Sequence, residues 1–296
     1  ETNRNQVDYS GVYSVENGLS YNFGSQLYQD KYEGTDSFEG KSRNTTSAFA
    51  GVLYDTGTIL TELSLRFNDV EDTASETTYN VSLGYNLSDS IFASINYGTG
   101  FKAPTLYQLL HSFYGDPDLA VETSKSWEVL LRSTFDGVKA ELSYFHLDFD
   151  NLIGYDYTTS KYNNIDEAKI EGIELNLSKD LGDLSLSANY AYTDTKDKTT
   201  GTQLSRRARH KANVAASYSW KNIDLSGTYQ YKGTRFDGGK ALSAYNTLDI
   251  SASYKLSEEW KLQVKANNIF DEEYKTVSRY ITPGAEYFLQ VSYSHF

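Results

Sequence analysis

The sequence has no cysteine, no methionine, only 3 prolines and no long apolar run in its 296 residues. Without cysteine, disulfides and thiolate metal sites are excluded. Without about eighteen consecutive apolar residues, no transmembrane helix is encoded. Proline cannot join a central β ladder, so its scarcity favours strands. Basic charge is scarce too: 27 Lys and Arg stand against 40 Asp and Glu, a formal net charge of -13. A phosphate-binding surface needs clustered cations, so no nucleic acid is expected as a partner. The opening "ETNRNQVDYSGVYSV" alternates like a strand and lacks the basic start and apolar centre of a secretory leader. A mature or truncated chain is therefore expected.

Tyrosine is abundant, 26 residues against 14 Phe and 3 Trp, and aromatic side chains suit a pleated surface. The apolar residues fall in period-two rows. Over 184–192, Leu184, Leu186, Ala188, Tyr190 and Tyr192 share one face and Ser185, Ser187, Asn189 and Ala191 the other. The same holds for Ala212, Val214, Ala216, Tyr218 and Trp220, for Ile223, Leu225, Gly227, Tyr229 and Tyr231, and for Leu248, Ile250, Ala252, Tyr254 and Leu256. About fifteen such segments recur roughly every twenty residues, each about nine or ten residues long. An apolar band of about 25 Å crossed by strands tilted near 40° needs about ten residues per strand. Strands of soluble sandwiches are usually shorter, about five or six residues.

Tight turns such as "VENG", "FDG" and "LSEEW" alternate with longer links at 30–43, 69–76, 100–123, 154–162, 194–205, 234–245 and 272–284. The apolar rows end in Tyr85, Phe135, Trp220, Tyr254 and Trp260 on the tight side, and in Phe67, Tyr97, Trp127, Tyr192 and Tyr231 on the other. Two aromatic girdles and one elaborate end are the signature of an outer-membrane barrel. The opposite faces carry Ser, Thr, Asn and charges such as Glu128, Arg132, Glu141 and Lys211, so the mean hydropathy of -0.56 is no objection. The expected fold is all-β, a transmembrane antiparallel up-and-down barrel wall. A passive porin and a soluble β-solenoid or sandwich are the alternatives.

One segment breaks the alternation. Its parts "YGTGFKAPTLYQL", "FYGDPDL" and "ETSKSWEV", with "YFHLDFDNLIGYD" at 144–156, "YNNIDEAKIEGIELNL" at 162–177, "NNIFDEEYKTV" at 267–277 and the terminal Phe296, resemble the TonB-dependent outer-membrane receptors. "LIGYD", "KYNN", "AKIEGIE", "QLSRRAR", "YQYKGTRFD" and "FDEEYKTV" are most similar to the cobalamin-transporting branch. The resemblance implies that residues 1–296 form the C-terminal part, about 15 strands, of a barrel of about 22 strands. The family's N-terminal plug and its TonB-contacting box have no counterpart here. An odd number of up-and-down strands cannot close antiparallel, so a fragment, or a partial chain completed by another, is expected. The ending "VSYSHF" sets Tyr293 three residues before Phe296, so that either a bulge at Ser294 and His295 or a turn away is expected.

By that resemblance the first Arg of "SRRARH" contacts the ligand, which is Arg206 here, with Arg207 beside it. The plain reading of the same basic patch is a contact with lipopolysaccharide phosphates or a network on the polar face. In the irregular segment Tyr107, His111 and Tyr114, with Phe113, are candidates to grip a corrin or iron chelate. Asp116 and Asp118 flank Pro117, and their plain reading is turn geometry. His146, Asp148 and Asp150 share one face without the partners of a catalytic constellation, so no enzyme activity is expected. No cofactor is expected, because the family's calcium sites would lie in the N-terminal portion. The implied partners are cobalamin or a similar chelate, TonB through the plug, the barrel-assembly machinery through the C-terminal strand, and lipopolysaccharide. The implied location is the outer membrane of a Gram-negative bacterium. Phages and colicins could also dock on the outer links.

Overall fold

The structure, a computed structural model, describes residues 2–32 and 40–294. Its strands are β1 (Thr2–Ser14), β2 (Leu19–Tyr32), β3 (Ser42–Asp55), β4 (Ile59–Val70), β5 (Ala74–Ser88), β6 (Ile91–Lys102), β7 (Glu122–Phe135), β8 (Val138–Asp156) and β9 (Lys161–Leu181). There follow β10 (Leu184–Asp197), β11 (His210–Trp220), β12 (Ile223–Lys232), β13 (Arg235–Asp237), β14 (Lys240–Leu242), β15 (Tyr245–Lys255), β16 (Trp260–Asn267) and β17 (Glu286–Tyr293). The short helix α1 (Leu106–Leu110) lies between β6 and β7. All strands but β13 and β14 form one 15-stranded sheet whose hydrogen-bonded neighbours follow chain order. That is the expected up-and-down arrangement and strand number.

The chain divides into two compact units. One comprises Glu1–Leu130, Phe145–Ile170 and Lys196–Thr202, the other Leu131–Tyr144, Glu171–Thr195 and Gln203–Phe296. Within each, the register extends the alternation of single strands across the sheet. In the second unit Leu186 pairs with Ala216, Ala216 with Gly227, Gly227 with Ile250 and Ile250 with Ala266. In the first, Tyr21 pairs with Val52, Val52 with Leu63, Leu63 with Val81 and Val81 with Tyr97. Each sequence row is thus one column of a continuous apolar face.

That face is exposed. Leu186 is 38% exposed, Val214 50%, Leu225 44% and Ile250 45%. Among the described residues the buried apolar side chains are few, Tyr32, Val70, Leu106 and Leu119 among them, whereas Ser47, Asn68, Ser143, Thr247 and Ser253 are buried. A water-soluble domain shows the reverse. Side chains on the polar face bond across strands: Asn213 to Asn189 at 2.8 Å, Ser226 to Ser251 at 2.8 Å, Arg132 to Glu141 at 2.8 Å. No described helix is long and apolar enough to cross a membrane.

Two expectations need correction. Most strands of the sheet are longer than the nine or ten residues expected, up to 19 in β8 and 21 in β9, while β16 and β17 have 8 each. The alternation read from sequence stops where the apolar residues stop, but the ladder needs only backbone groups and continues into the polar link. The links are correspondingly shorter: 69–76 contracts to the turn at 71–73, and 154–162 to 157–160. The link at 234–245 holds a hairpin of its own, β13 and β14, whose two-residue turn sets Gly238 at φ 56° and Gly239 at φ 78°. Both central residues of such a turn need positive φ, which glycine adopts without strain. Part of the link at 30–43 lies outside the described residues, as do His295 and Phe296 with the expected terminal bulge.

Candidate functional site

In the first unit, the irregular segment between Lys102 and Glu122 is held at its base. Lys102 Nζ lies 3.5 Å from the Glu122 carboxylate, which also accepts from the Ile153 amide at 3.1 Å. Thr105 caps α1 through a reciprocal box: its hydroxyl accepts from the Gln108 amide at 3.1 Å, and the Gln108 side chain accepts from the Thr105 amide at 2.9 Å. Past the helix the chain turns back, the Gly115 amide donating to the His111 carbonyl at 2.8 Å. A Cβ on Gly115 would stand 2.6 Å from that carbonyl oxygen and 2.7 Å from the His111 nitrogen. The next turn is closed by Asp116, whose Oδ1 accepts from the Asp118 amide at 2.9 Å, in keeping with the plain reading of this pair.

The fold brings Tyr107, His111 and Tyr114 together. His111 stacks on Tyr114 with centroids 4.6 Å apart and an interplanar angle of 20°, and meets Tyr107 at 4.7 Å. His111 Nδ1 accepts from the Phe113 and Tyr114 amides at 3.2 and 3.1 Å, which fixes the ring. Sequence reasoning missed three more members on β8, the following turn and β9. Tyr155 meets Tyr162 edge-on at 5.3 Å and Tyr157 at 5.2 Å, while Tyr114 approaches Tyr155 at 6.3 Å and Tyr107 approaches Tyr162 at 6.2 Å. The tyrosine density of "GYDYTTSKY" was the available signal. Asn164 ties segment to strands: its side chain accepts from the Ala120 amide at 2.9 Å and donates to the carbonyls of Ala120 at 3.2 Å and Asn151 at 2.7 Å. With Phe113 76% exposed and Tyr157 49%, the cluster offers aromatic faces and hydroxyl tips to solvent.

His146 Nε2 lies 2.9 Å from Asp148, Asp148 lies 2.9 Å from Lys198, and Lys198 also reaches Glu167 at 3.3 Å, while the His146 ring stacks on Trp127 at 5.7 Å. The pattern is an ion-pair chain, the common fate of charges on one strand face.

In the second unit, Arg206 adopts φ 64° and its amide donates to the Phe236 carbonyl at 2.6 Å. Its Nε donates to Asp237 Oδ1 at 2.6 Å. Asp237 is 1% exposed and its other oxygen accepts from the Ser278 amide at 2.7 Å. Burial pushes the Asp237 carboxyl up, but the Ser278 amide and the Arg206 guanidinium outweigh it and hold the group below its ordinary value. Arg235, also 1% exposed, directs its guanidinium to the carbonyls of Gly233, Ser243 and Lys275 and lies 5.3 Å from the Tyr245 ring. Two buried charges of one small hairpin thus fasten the links at 203–209 and 268–285. Arg207 is exposed, with its carbonyl bonded to the Gln203 side chain.

Residues 2–269 match the family described as TonB dependent receptor-like, beta-barrel. The vitamin B12 transporter BtuB of Vibrio cholerae serotype O1 is 33% identical over 260 residues, which are 85% of this chain and 42% of that protein. The chain therefore spans under half the length of the curated relatives it matches. Among solved structures, the siderophore receptor PirA from Acinetobacter baumannii superposes with a TM-score of 0.82 at 21% identity, over 99% of this chain and 55% of that one. The copper transporter OprC superposes with a TM-score of 0.83 at 15% identity, over 99% and 56%. At these identities the structural likeness speaks for the fold alone.

Proposed function

Because the chain belongs to the TonB-dependent receptor β-barrel family, we propose that it forms wall and outer links of an outer-membrane uptake receptor, with cobalamin as the transported nutrient. The continuous exposed apolar face bounded by aromatic rings supports the membrane setting, since a surface of that extent is stable only against hydrocarbon. The 33% identity to a vitamin B12 transporter over 260 residues supports the nutrient. In this reading the aromatic cluster around His111 is one candidate contact for the ligand, the latched Arg206 with Arg207 beside it is another, and uptake is driven by TonB through a plug. The assembly machinery reads the C-terminal strand, lipopolysaccharide meets the outer rim, and the chain carries out no covalent chemistry.

A second reading, an iron chelate, is favoured by one observation. After "GTRFD", where the cobalamin branch by resemblance places a ligand tyrosine, this chain makes a two-residue turn, and Asp237 of that hairpin takes up Arg206. A cobalamin titration of a receptor carrying this chain, native against Arg206→Ala, tests both. Weaker cobalamin binding in the variant supports the first reading. Undiminished binding removes Arg206 from the site, and no binding by the native receptor favours the chelate.

A further inference from the structure

In a chain of net charge -13, six cations gather at the outer ends of β11 and β12 and in the adjoining links: Arg206, Arg207, Arg209, Lys211, Lys232 and Arg235. Two are matched by carboxylates, Arg206 by Asp237 at 2.6 Å and Arg209 by Asp194 at 3.0 Å. Arg235 donates through its two terminal nitrogens to carbonyl oxygens, which leave its charge uncancelled, and its buried Nε has no hydrogen-bond partner among the described residues. Arg207, Lys211 and Lys232 make no side-chain hydrogen bond or ion pair among the described residues.

Lys211 and Lys232 stand directly opposite one another in the β11–β12 register. Side chains so placed have Cβ atoms about 5 Å apart, and like charges there are destabilising. Both lie on the polar face, since their neighbours Ala212 and Tyr231 belong to the apolar rows. The same polar row continues from Lys232 to Tyr245, and the row beneath holds Asn213 and Gln230. Arg235, Lys211 and Arg207 all act on the Lys232 ammonium as like charges. Two facing cations, flanked by amide and hydroxyl groups and held on a rigid ladder, need an anion to be at rest.

We propose that Lys211 and Lys232, with Arg207 at their margin, bind a small oxyanion, a phosphate or phosphodiester, on the polar face of the sheet. Under the proposed function this anion is the phosphodiester of the cobalamin nucleotide loop, and only that identification rests on the earlier reading.

The test uses the receptor carrying this chain, in detergent. Inorganic phosphate, added at constant ionic strength against sodium chloride, is expected to raise the unfolding temperature saturably. Lys211→Gln/Lys232→Gln is expected to abolish that rise, and Lys211→Arg/Lys232→Arg to keep it. In a second arm the Gln variant is expected to weaken cobalamin binding at least about tenfold and to leave cobinamide, which lacks the phosphodiester, unchanged. No phosphate effect on the native protein, or an equal one on the Gln variant, overturns the site. A phosphate effect with equal losses for cobalamin and cobinamide keeps the site and overturns its assignment to the nucleotide loop. Failure of the native receptor to bind either corrinoid sinks the cobalamin reading and leaves the phosphate arm intact.

Discussion

Arg206 donates to Asp237 at 2.6 Å, and the two ends of this pair live in different surroundings: the arginine side chain is 44% exposed and the aspartate side chain 2%. The pair is therefore asymmetric under mutation. Asp237→Ala returns Arg206 to solvent, whereas Arg206→Ala strands a buried carboxylate with the Ser278 amide. Arg206→Ala is expected to cost about 1–3 kcal/mol of local stability, more than Asp237→Ala. Amide hydrogen exchange over 268–285 measures the difference, and equal effects would contradict it.

The same carboxyl sets a pH window. Its value in the folded chain lies below the ordinary one, so its stabilising effect is full above the unfolded value of about 3.9 and is lost as pH falls through the lowered folded value. Protease cutting of the 268–285 link is expected to stay constant from neutral pH to about pH 5 and to rise only below the usual carboxylate range. In Arg206→Gln the rise is expected at higher pH.

Gly115→Ala places a methyl group against two backbone atoms of His111. Backbone has little room to yield, so the turn must open and separate His111 from Tyr114. A loss of about 1–3 kcal/mol is expected, together with weaker ligand binding. Asn164→Ala, which removes three hydrogen bonds to Ala120 and Asn151, is expected to raise cleavage within 103–121 without altering the strands.

Ile250→Arg places a charge in the middle of the apolar face, and a cost of about 2–4 kcal/mol in folding into bilayers is expected. Ser226→Arg, one residue from the Gly227 that pairs with Ile250, points to the polar face and is expected to be tolerated. Equal penalties would refute the assignment of the two faces.

Strand faces and strand number were legible because period two is a local signal, repeated along the sheet from Val7 and Tyr9 to Leu289 and Val291. Tyr107, His111 and Tyr114 were legible as candidates because they interrupt that period. Their partners were not, since Tyr155 and Tyr162 reach them through contacts more than forty residues away in the chain. The Arg206–Asp237 latch likewise joins residues 31 apart through a hairpin that no alternation marks. Its Gly-Gly turn was written in "RFDGGKAL", too short to register as a strand pair. The facing of Lys211 and Lys232 needed the register itself, which only the folded sheet supplies.

The alternating register, which shifts between Asn86 and Ser88 of β5, has an evolutionary corollary. Inserting one residue within a ladder would swap oily and wet contacts along the remainder of that strand, so descendants can lengthen strands only in steps of two or at a kink. Asn151, with φ 55° inside β8, is a place where such a kink is tolerated. Divergence in cargo is thereby channelled to the rim, where parity imposes nothing.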